Sequence, residues 1–150
     1  MSSSFFSSRK PRPRFREEGQ NYAVSWRLHR NQAALTGSER DIVAAAVQHA
    51  KGVAFELHAW VVMDDHVHVV LTPFPTTTLD AILHSWKSYS ANRLMKTHVR
   101  VAPIWQPGWF DRVVFANSEL GQKVDYAAAN PQRRWPDVLE YPWVWPKPSP

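Results

Sequence analysis

The chain of 150 residues suits one domain with an ordinary hydrophobic core, and it contains no cysteine. Disulfides and thiolate metal sites are therefore excluded, and no apolar stretch approaches the roughly 20 residues of a membrane span. The net charge is +5, of which residues 1–20 supply +3 from five basic and two acidic side chains. The sequence predicts a cytoplasmic protein with no membrane partner, and its basic arm favours nucleic acid.

The N-terminal third of the chain predicts an arm, a strand and a helix. Residues 1–20 mix serine, proline and charge without periodicity, which predicts a disordered basic arm. Residues 21–30 alternate as a strand does. Residues 38–52 predict an amphipathic helix with Ser38 as its N-cap and Gly52 at its end. Its apolar stripe comprises Ile42, Val43, Ala46, Val47 and Ala50.

The middle of the chain predicts a hairpin followed by a long helix. Residues 53–63 and 66–72 form two apolar, β-branched runs, and the polar pair 64–65 between them indicates a turn. Residues 77–98 predict a second amphipathic helix. Its inward side chains are Leu79, Ile82, Leu83, Trp86 and Leu94.

The C-terminal third predicts a strand over residues 111–117 and a helix over 118–130, stopped by Pro131. The Pro- and Trp-rich residues 132–150 predict an extended tail laid over the domain. The order of elements predicts an α+β fold. Its first six elements match a ferredoxin-like antiparallel sheet, βαββαβ, and a C-terminal helix carrying a tyrosine follows.

Two histidines interrupt the second strand of the hairpin. His66 and His68 are two residues apart, so their side chains share one face of the strand, while Val67 and Val69 share the other. If the valines meet the helices, the imidazoles lie on the uncovered face and can supply two ligands to a divalent ion. A structural histidine pair is the alternative. A third histidine is absent at Val70, and no helical H-E-x-x-H occurs, which excludes histidine-triad hydrolases and zincins.

The third helix carries the other candidate groups. Its buried stripe is predicted to contain Leu120, Val124, Ala127 and Ala128, with Tyr126 away from that stripe. Tyr126 and Asn130 are four residues apart and therefore neighbours on one helical face. If that face covers the histidines, the amide completes a site for Mg²⁺ or Mn²⁺ and the phenol is a nucleophile. An ordinary half-buried tyrosine is the alternative.

Five blocks of the sequence, in this order, resemble the single-tyrosine HUH transposases, and most closely the REP-associated tyrosine transposases of bacteria. They read YAVSWRLHR, AWVVMDDHVHVVL, SWKSYSANR, WQPGWFDRVV and VDYAAANP, and together span about residues 21–131. The resemblance predicts a catalytic domain over this range. The sequence departs from the family's pattern at Asp64 and in the tail. The role of Asp64 is open between repelling phosphate and accepting a hydrogen bond beside the metal ligands.

The resemblance implies specific roles for the candidate residues. His66 and His68 would form the HUH motif, and Asn130 would be the third ligand to one Mg²⁺ or Mn²⁺. Tyr126 would attack single-stranded DNA beside a hairpin, giving a 5′-phosphotyrosine link and a free 3′-hydroxyl. The implied function is metal-dependent, sequence-specific nicking and strand transfer by a monomer or homodimer associated with the nucleoid. A catalytically silent hairpin-binding protein derived from a transposase is the alternative.

Basic and aromatic side chains complete the predicted DNA contacts. Lys123, one turn before the tyrosine, is a candidate for stabilising the phenolate or the phosphate. Trp105 and Trp109 are candidates for stacking on unpaired bases. The candidates for phosphate contacts are Lys87, Arg93, Arg112, Arg133 and Arg134.

Overall fold

A computed structural model describes residues 19–148, which form five strands and four helices. The strands are β1 (Asn21–Arg27), β2 (Phe55–Val62), β3 (His66–Pro73), β4 (Phe110–Val114) and β5 (Val144–Trp145). The helices are α1 (Gly37–Gln48), α2 (Leu79–His98), α3 (Asn117–Ala128) and α4 (Asn130–Arg134).

The strands form one antiparallel sheet in the order β4-β1-β3-β2-β5. Its first four members, β4-β1-β3-β2, have the order of a ferredoxin-like sheet, so the predicted α+β arrangement is confirmed. The fifth strand was not predicted, because two residues are too few to show an alternating pattern.

One face of the sheet packs under α1 and α2. Alternate side chains of β1 and β3 lie in this core, including Val24, Trp26, Val67 and Val69. The five side chains predicted to face inward from the second helix are all buried: Leu79, Ile82, Leu83, Trp86 and Leu94. The valines of the histidine strand therefore do face the two helices.

The opposite face of the sheet packs against α3 and the C-terminal segment. Ala127 lies in this second core with Ala59, Val61 and Val70 of the sheet, and Leu120 and Val124 are half-buried against it. The predicted apolar stripe of the third helix is thus confirmed. The packing leaves part of this face open beside α3, and the histidines lie there.

Several predicted helix boundaries were wrong, and α1 ends at Gln48 rather than at Gly52. The N-cap of α1 is Thr36 rather than Ser38, because Thr36 and Glu39 form a reciprocal capping box. Pro131 does not stop the third helix. That helix ends at Ala128, and Pro131 lies in the first turn of α4, where the missing amide of proline costs no hydrogen bond.

The C-terminal segment lies along the outer strand β2. Val144 and Trp145 pair with Val61 and Trp60, and the Tyr141 phenol donates to the carbonyl oxygen of Val62. The indole of Trp143 reaches across to α1, where it donates to the Asp41 carboxylate at 2.7 Å. The predicted division of the chain at residues 20 and 131 stays a prediction.

Of the predicted basic arm, residues 1–20, the first 18 lie outside the described part of the chain, as do residues 149–150. Within residues 19–148, no helix combines the length and the apolar character that crossing a bilayer requires.

Candidate active site

His66 and His68 lie side by side on the sheet face that α1 and α2 leave uncovered. In the register between β1 and β3, His68 is opposite Ser25 and His66 is opposite Arg27. The two imidazole rings are perpendicular, with their centroids 4.8 Å apart. The pair thus lies on the face opposite the core that holds Val67, as the strand alternation predicted.

Asp65 fixes the orientation of the first imidazole. Its Oδ1 lies 2.6 Å from Nδ1 of His66, which makes Nδ1 the protonated nitrogen and leaves Nε2 for a ligand. This hydrogen bond, helped by the charges of His66, Arg134 and Arg27, lowers the pKa of Asp65 to about 2 despite its partial burial. Asp65 therefore stays ionised and holds His66 in a metal-binding tautomer.

The second imidazole is neutral. Burial, and then the neighbouring His66 and Arg133, lowers the pKa of His68 to about 3. A neutral imidazole is the form that donates a lone pair to a metal ion. The donor chemistry of the two side chains therefore fits a divalent cation.

Tyr126 lies on α3, beside the histidines but off the buried face of its own helix. Its side chain is 56% exposed, whereas the adjacent Ala127 is 2% exposed. The phenol ring stands edge-on to His68, with ring centroids 6.4 Å apart. A solvent-accessible phenol and two imidazoles therefore share one surface.

These side chains line a pocket of about 340 Å³ between α3 and strands β1, β3 and β4. Three basic side chains, Arg27, Arg112 and Lys123, also line it. Arg112 donates to Glu119 at 3.1 Å, and Arg27 lies 3.6 Å from Asp65. The pocket thus brings together a phenol, two imidazoles and three basic side chains.

Asn130 is separated from the end of α3 by a single residue, Ala129. Since α3 ends at Ala128, Asn130 begins the next helix, where it is buried, and it does not line the pocket. Among residues 19–148 no three histidine, aspartate or glutamate side chains are grouped to hold a metal ion. The ligand role of Asn130 stays a prediction.

Two predicted phosphate contacts are engaged within the protein. The Arg133 guanidinium stacks on the Tyr126 ring, and Nη1 of Arg134 lies 3.0 Å from the Asp64 carboxylate. Asp64 is thereby neutralised by an ion pair. The carboxylate that contacts His66 is that of Asp65.

Two more predicted DNA residues lie close together, Lys87 on α2 and Trp109 in the loop before β4. Nζ of Lys87 donates to the carbonyl oxygens of Gln106 and Gly108 at 2.9 and 2.5 Å, and burial lowers its pKa to about 8. Nζ also lies 6.0 Å from the centroid of the half-buried Trp109 ring. Lys87 therefore anchors this loop and the indole next to it.

Trp105 was wrongly predicted as a base-stacking residue. It is 7% exposed, its ring packs edge-on against Trp26, and its indole nitrogen donates to Ser90. No open ring face remains for a base. Arg93 is exposed on α2, the helix that covers the other face of the sheet, and does not line the pocket.

Sequence reasoning missed four residues that build the site: Ser25, Arg27, Asp65 and Phe110. A signal existed for Arg27, because it alternates with the apolar side chains of Val24 and Trp26 and so must face the histidines. No comparable signal marked Asp65, which resembled an ordinary turn residue.

The family model described as "Transposase IS200 like" matches residues 18–127. The chain belongs to the IS200-like transposase family. The resemblance seen in the sequence blocks is thereby confirmed. No curated protein matches this transposase-family chain.

Two solved structures share the fold of this IS200-like family member. One is a REP-associated tyrosine transposase bound to a REP hairpin, with 19% identity, a TM-score of 0.71, and coverage of 91% of this chain and 82% of that one. The other is a candidate transposase from Deinococcus radiodurans, with 20% identity, a TM-score of 0.56, and coverage of 78% and 95%. At these identities the similarity establishes the fold.

Proposed function

We propose that this protein nicks single-stranded DNA beside a hairpin and transfers the strand, with Tyr126 as the nucleophile. The observation that carries the proposal is the exposed Tyr126 phenol standing edge-on to His68 in the pocket of an IS200-like transposase. A structural neighbour is bound to a REP hairpin, which suggests the same class of DNA here. Action on chromosomal DNA would place the protein at the nucleoid.

Tyr126 would attack the phosphorus atom of a phosphodiester. The bond from the phenol oxygen to phosphorus forms as the bond to the 3′ oxygen breaks, which leaves a 5′-phosphotyrosine and a 3′-hydroxyl. The proton that the phenol loses is balanced by the proton that the 3′ oxygen gains. Because one phosphodiester replaces another, a second 3′-hydroxyl can reverse the step without an external energy source.

Basic side chains of the pocket would stabilise the charge that builds during this step. Lys123 and Arg112 line the pocket with Tyr126, where they can face the phosphate oxygens. Their charges also favour entry of a single strand, and the half-buried Trp109 is the remaining candidate for base stacking.

His66, His68 and Asn130 would hold one Mg²⁺ or Mn²⁺. When bound, the ion would polarise the scissile phosphate and raise the reactivity of its phosphorus atom. The protein's own contribution would be to orient the first imidazole, through the contact between Asp65 and Nδ1 of His66, and to lower the pKa of His68 by burial.

The test is covalent capture of labelled hairpin oligonucleotides from the source genome, with Mn²⁺ or Mg²⁺, resolved on a denaturing gel. We expect a slow-migrating protein–DNA adduct that disappears in Tyr126→Phe. Tyr89→Phe is the matched control, since Tyr89 is equally exposed but lies on α2, away from the pocket. Tight hairpin binding without any adduct would instead support the catalytically silent binding protein.

A further inference from the structure

Two consecutive arginines on α4 contact two different parts of the candidate site, namely Tyr126 and the acidic turn that precedes His66. The guanidinium carbon of Arg133 lies 3.6 Å from the centroid of the Tyr126 ring, and its Nη2 donates to the Tyr126 carbonyl oxygen at 2.8 Å. Arg134 binds Asp64 through both terminal nitrogens, at 3.0 and 3.1 Å, and lies 3.6 Å from Asp65. Asp65 in turn holds His66.

We propose that Arg133 and Arg134 form a clamp that sets the position of Tyr126 relative to His66. In this role both are positioning residues, and neither serves mainly as a phosphate contact. The inference deepens the proposed function and rests on it for the chemical consequence. The clamp itself is a property of the folded chain and can be tested without DNA.

The clamp matters because α3 buries few side chains, although Arg112 of β4 also binds Glu119 in its first turn. Only Ala127 and Ala128 are fully buried along its length, and its N-cap, Ala116, makes no side-chain hydrogen bond to the first turn. Small buried side chains contribute little packing energy, so such a helix can shift. A displacement of about 1 Å at a nucleophile can cost roughly 100-fold in rate.

Arginine suits this position for a geometric reason. A planar guanidinium can stack on the Tyr126 ring and, in the same conformation, donate an edge N–H to the carbonyl oxygen behind the ring. A lysine ammonium keeps the charge but has no plane to stack. Arg133→Lys therefore removes the stacking on Tyr126 and keeps the positive charge, so the two contributions can be measured separately.

The direct test is fluorine NMR of the full chain labelled with 3-fluorotyrosine. The chain has four tyrosines, and Tyr126→Phe assigns the relevant signal. We expect Arg133→Ala and Arg133→Lys both to move the Tyr126 signal, and Arg134→Ala to move it as well because α4 loses its other anchor. The three remaining signals report whether each variant is folded.

Lys96→Ala is the control, since it removes one positive charge from an exposed position on α2. It should leave the Tyr126 signal in place. A Tyr126 signal that is unchanged in folded Arg133→Ala would overturn the clamp, whatever the protein does to DNA.

The chemical consequence is tested by adduct formation at saturating hairpin DNA. We expect Arg133→Ala and Arg133→Lys to slow adduct formation about 10- to 100-fold while the Kd for an uncleaved hairpin stays within about twofold. If Arg133→Lys restores the rate and Arg133→Ala weakens hairpin binding, Arg133 is a phosphate contact and the proposal fails. Absence of an adduct from the unmodified protein would instead defeat the proposed function, and the fluorine signal would still decide the clamp.

Discussion

The phenol oxygen of Tyr141 donates a hydrogen bond of 2.7 Å to the carbonyl oxygen of Val62, 79 residues earlier in the chain. Burial raises the pKa of Tyr141 to about 12, so the phenol remains a donor at any ordinary pH. The bond joins the C-terminal segment to the last residue of β2, immediately before the turn that carries Asp65. The segment therefore supports the end of β2 beside that turn, as well as extending the sheet.

Tyr141→Phe removes this hydrogen bond and leaves a buried carbonyl oxygen unpaired. We expect a loss of about 1–2 kcal/mol in the free energy of unfolding, measured by urea denaturation with an unchanged m-value. Tyr89→Phe removes an exposed hydroxyl and should cost far less. Equal costs for the two substitutions would mean that the Val62 contact contributes nothing to stability.

Acid should weaken the fold through Glu39. Arg100 donates two hydrogen bonds to this 3%-exposed carboxylate, at 2.5 and 2.7 Å, and they are the largest cause that lowers the pKa of Glu39 from 4.5 to about 2. A carboxyl whose pKa is lower in the folded than in the unfolded state stabilises the fold at pH values above its unfolded-state pKa. This contribution is lost as the pH falls from about 4.5 towards 2. Its size is at most about 3 kcal/mol.

Thermal unfolding between pH 2 and 6 measures the effect. Glu39→Gln should lower Tm at pH 6 and flatten its fall below pH 4.5. Glu56→Gln, which alters an exposed carboxylate on β2, should follow the unmodified profile. Parallel profiles for the unmodified protein and Glu39→Gln would exclude the ion pair as the source of the acid sensitivity.

Divalent metal should stabilise the protein through the histidine pair. We expect Mn²⁺ to raise Tm, because a ligand that binds only the folded state stabilises it by RT ln(1 + [L]/Kd). The double change His66→Ala with His68→Ala should abolish the shift. His49→Ala with His84→Ala removes two exposed histidines and should retain it. An undiminished shift without His66 and His68 would remove them from the metal site.

Hairpin binding should depend on salt, with Lys123 contributing to the slope. If Lys123 contacts a phosphate, Lys123→Ala should weaken binding at every hairpin sequence and reduce the slope of log Kd against log salt by about 1. Lys96→Ala should leave the slope unchanged. Both slopes can be measured by fluorescence anisotropy between about 50 and 300 mM salt, a range over which the Debye length shortens. Salt-independent binding would argue against phosphate contacts in the pocket.

The parts of the site that were predicted correctly follow from local periodicity. Alternation along a strand places His66 and His68 opposite Val67, and helical spacing keeps Tyr126 off the face of Ala127. Both conclusions need only the geometry of one element and one buried face. They hold without knowledge of how the elements pack.

The errors arise where a contact joins residues far apart in sequence. The burial of Trp105 depends on Trp26 and Ser90, which come from two other elements, so its aromatic, loop-like surroundings were misleading. Arg134 looked like a free surface charge, yet Asp64 lies 70 residues away in sequence and neutralises it. Composition indicates which groups can pair, and only the tertiary fold shows which groups do.

The pairing of β5 with β2 has a consequence for synthesis of the protein on the ribosome. Val62 leaves the ribosome about 80 residues before its partners, which at typical elongation rates of about 5–20 residues per second is roughly 4–16 s earlier. During that interval the outer edge of β2 and the apolar face beneath Tyr141 have no native cover. The strand that carries the histidines is thus made early, while Arg133, which contacts Tyr126, and β5, which pairs with β2, are made later, so the pocket and the second core are completed together.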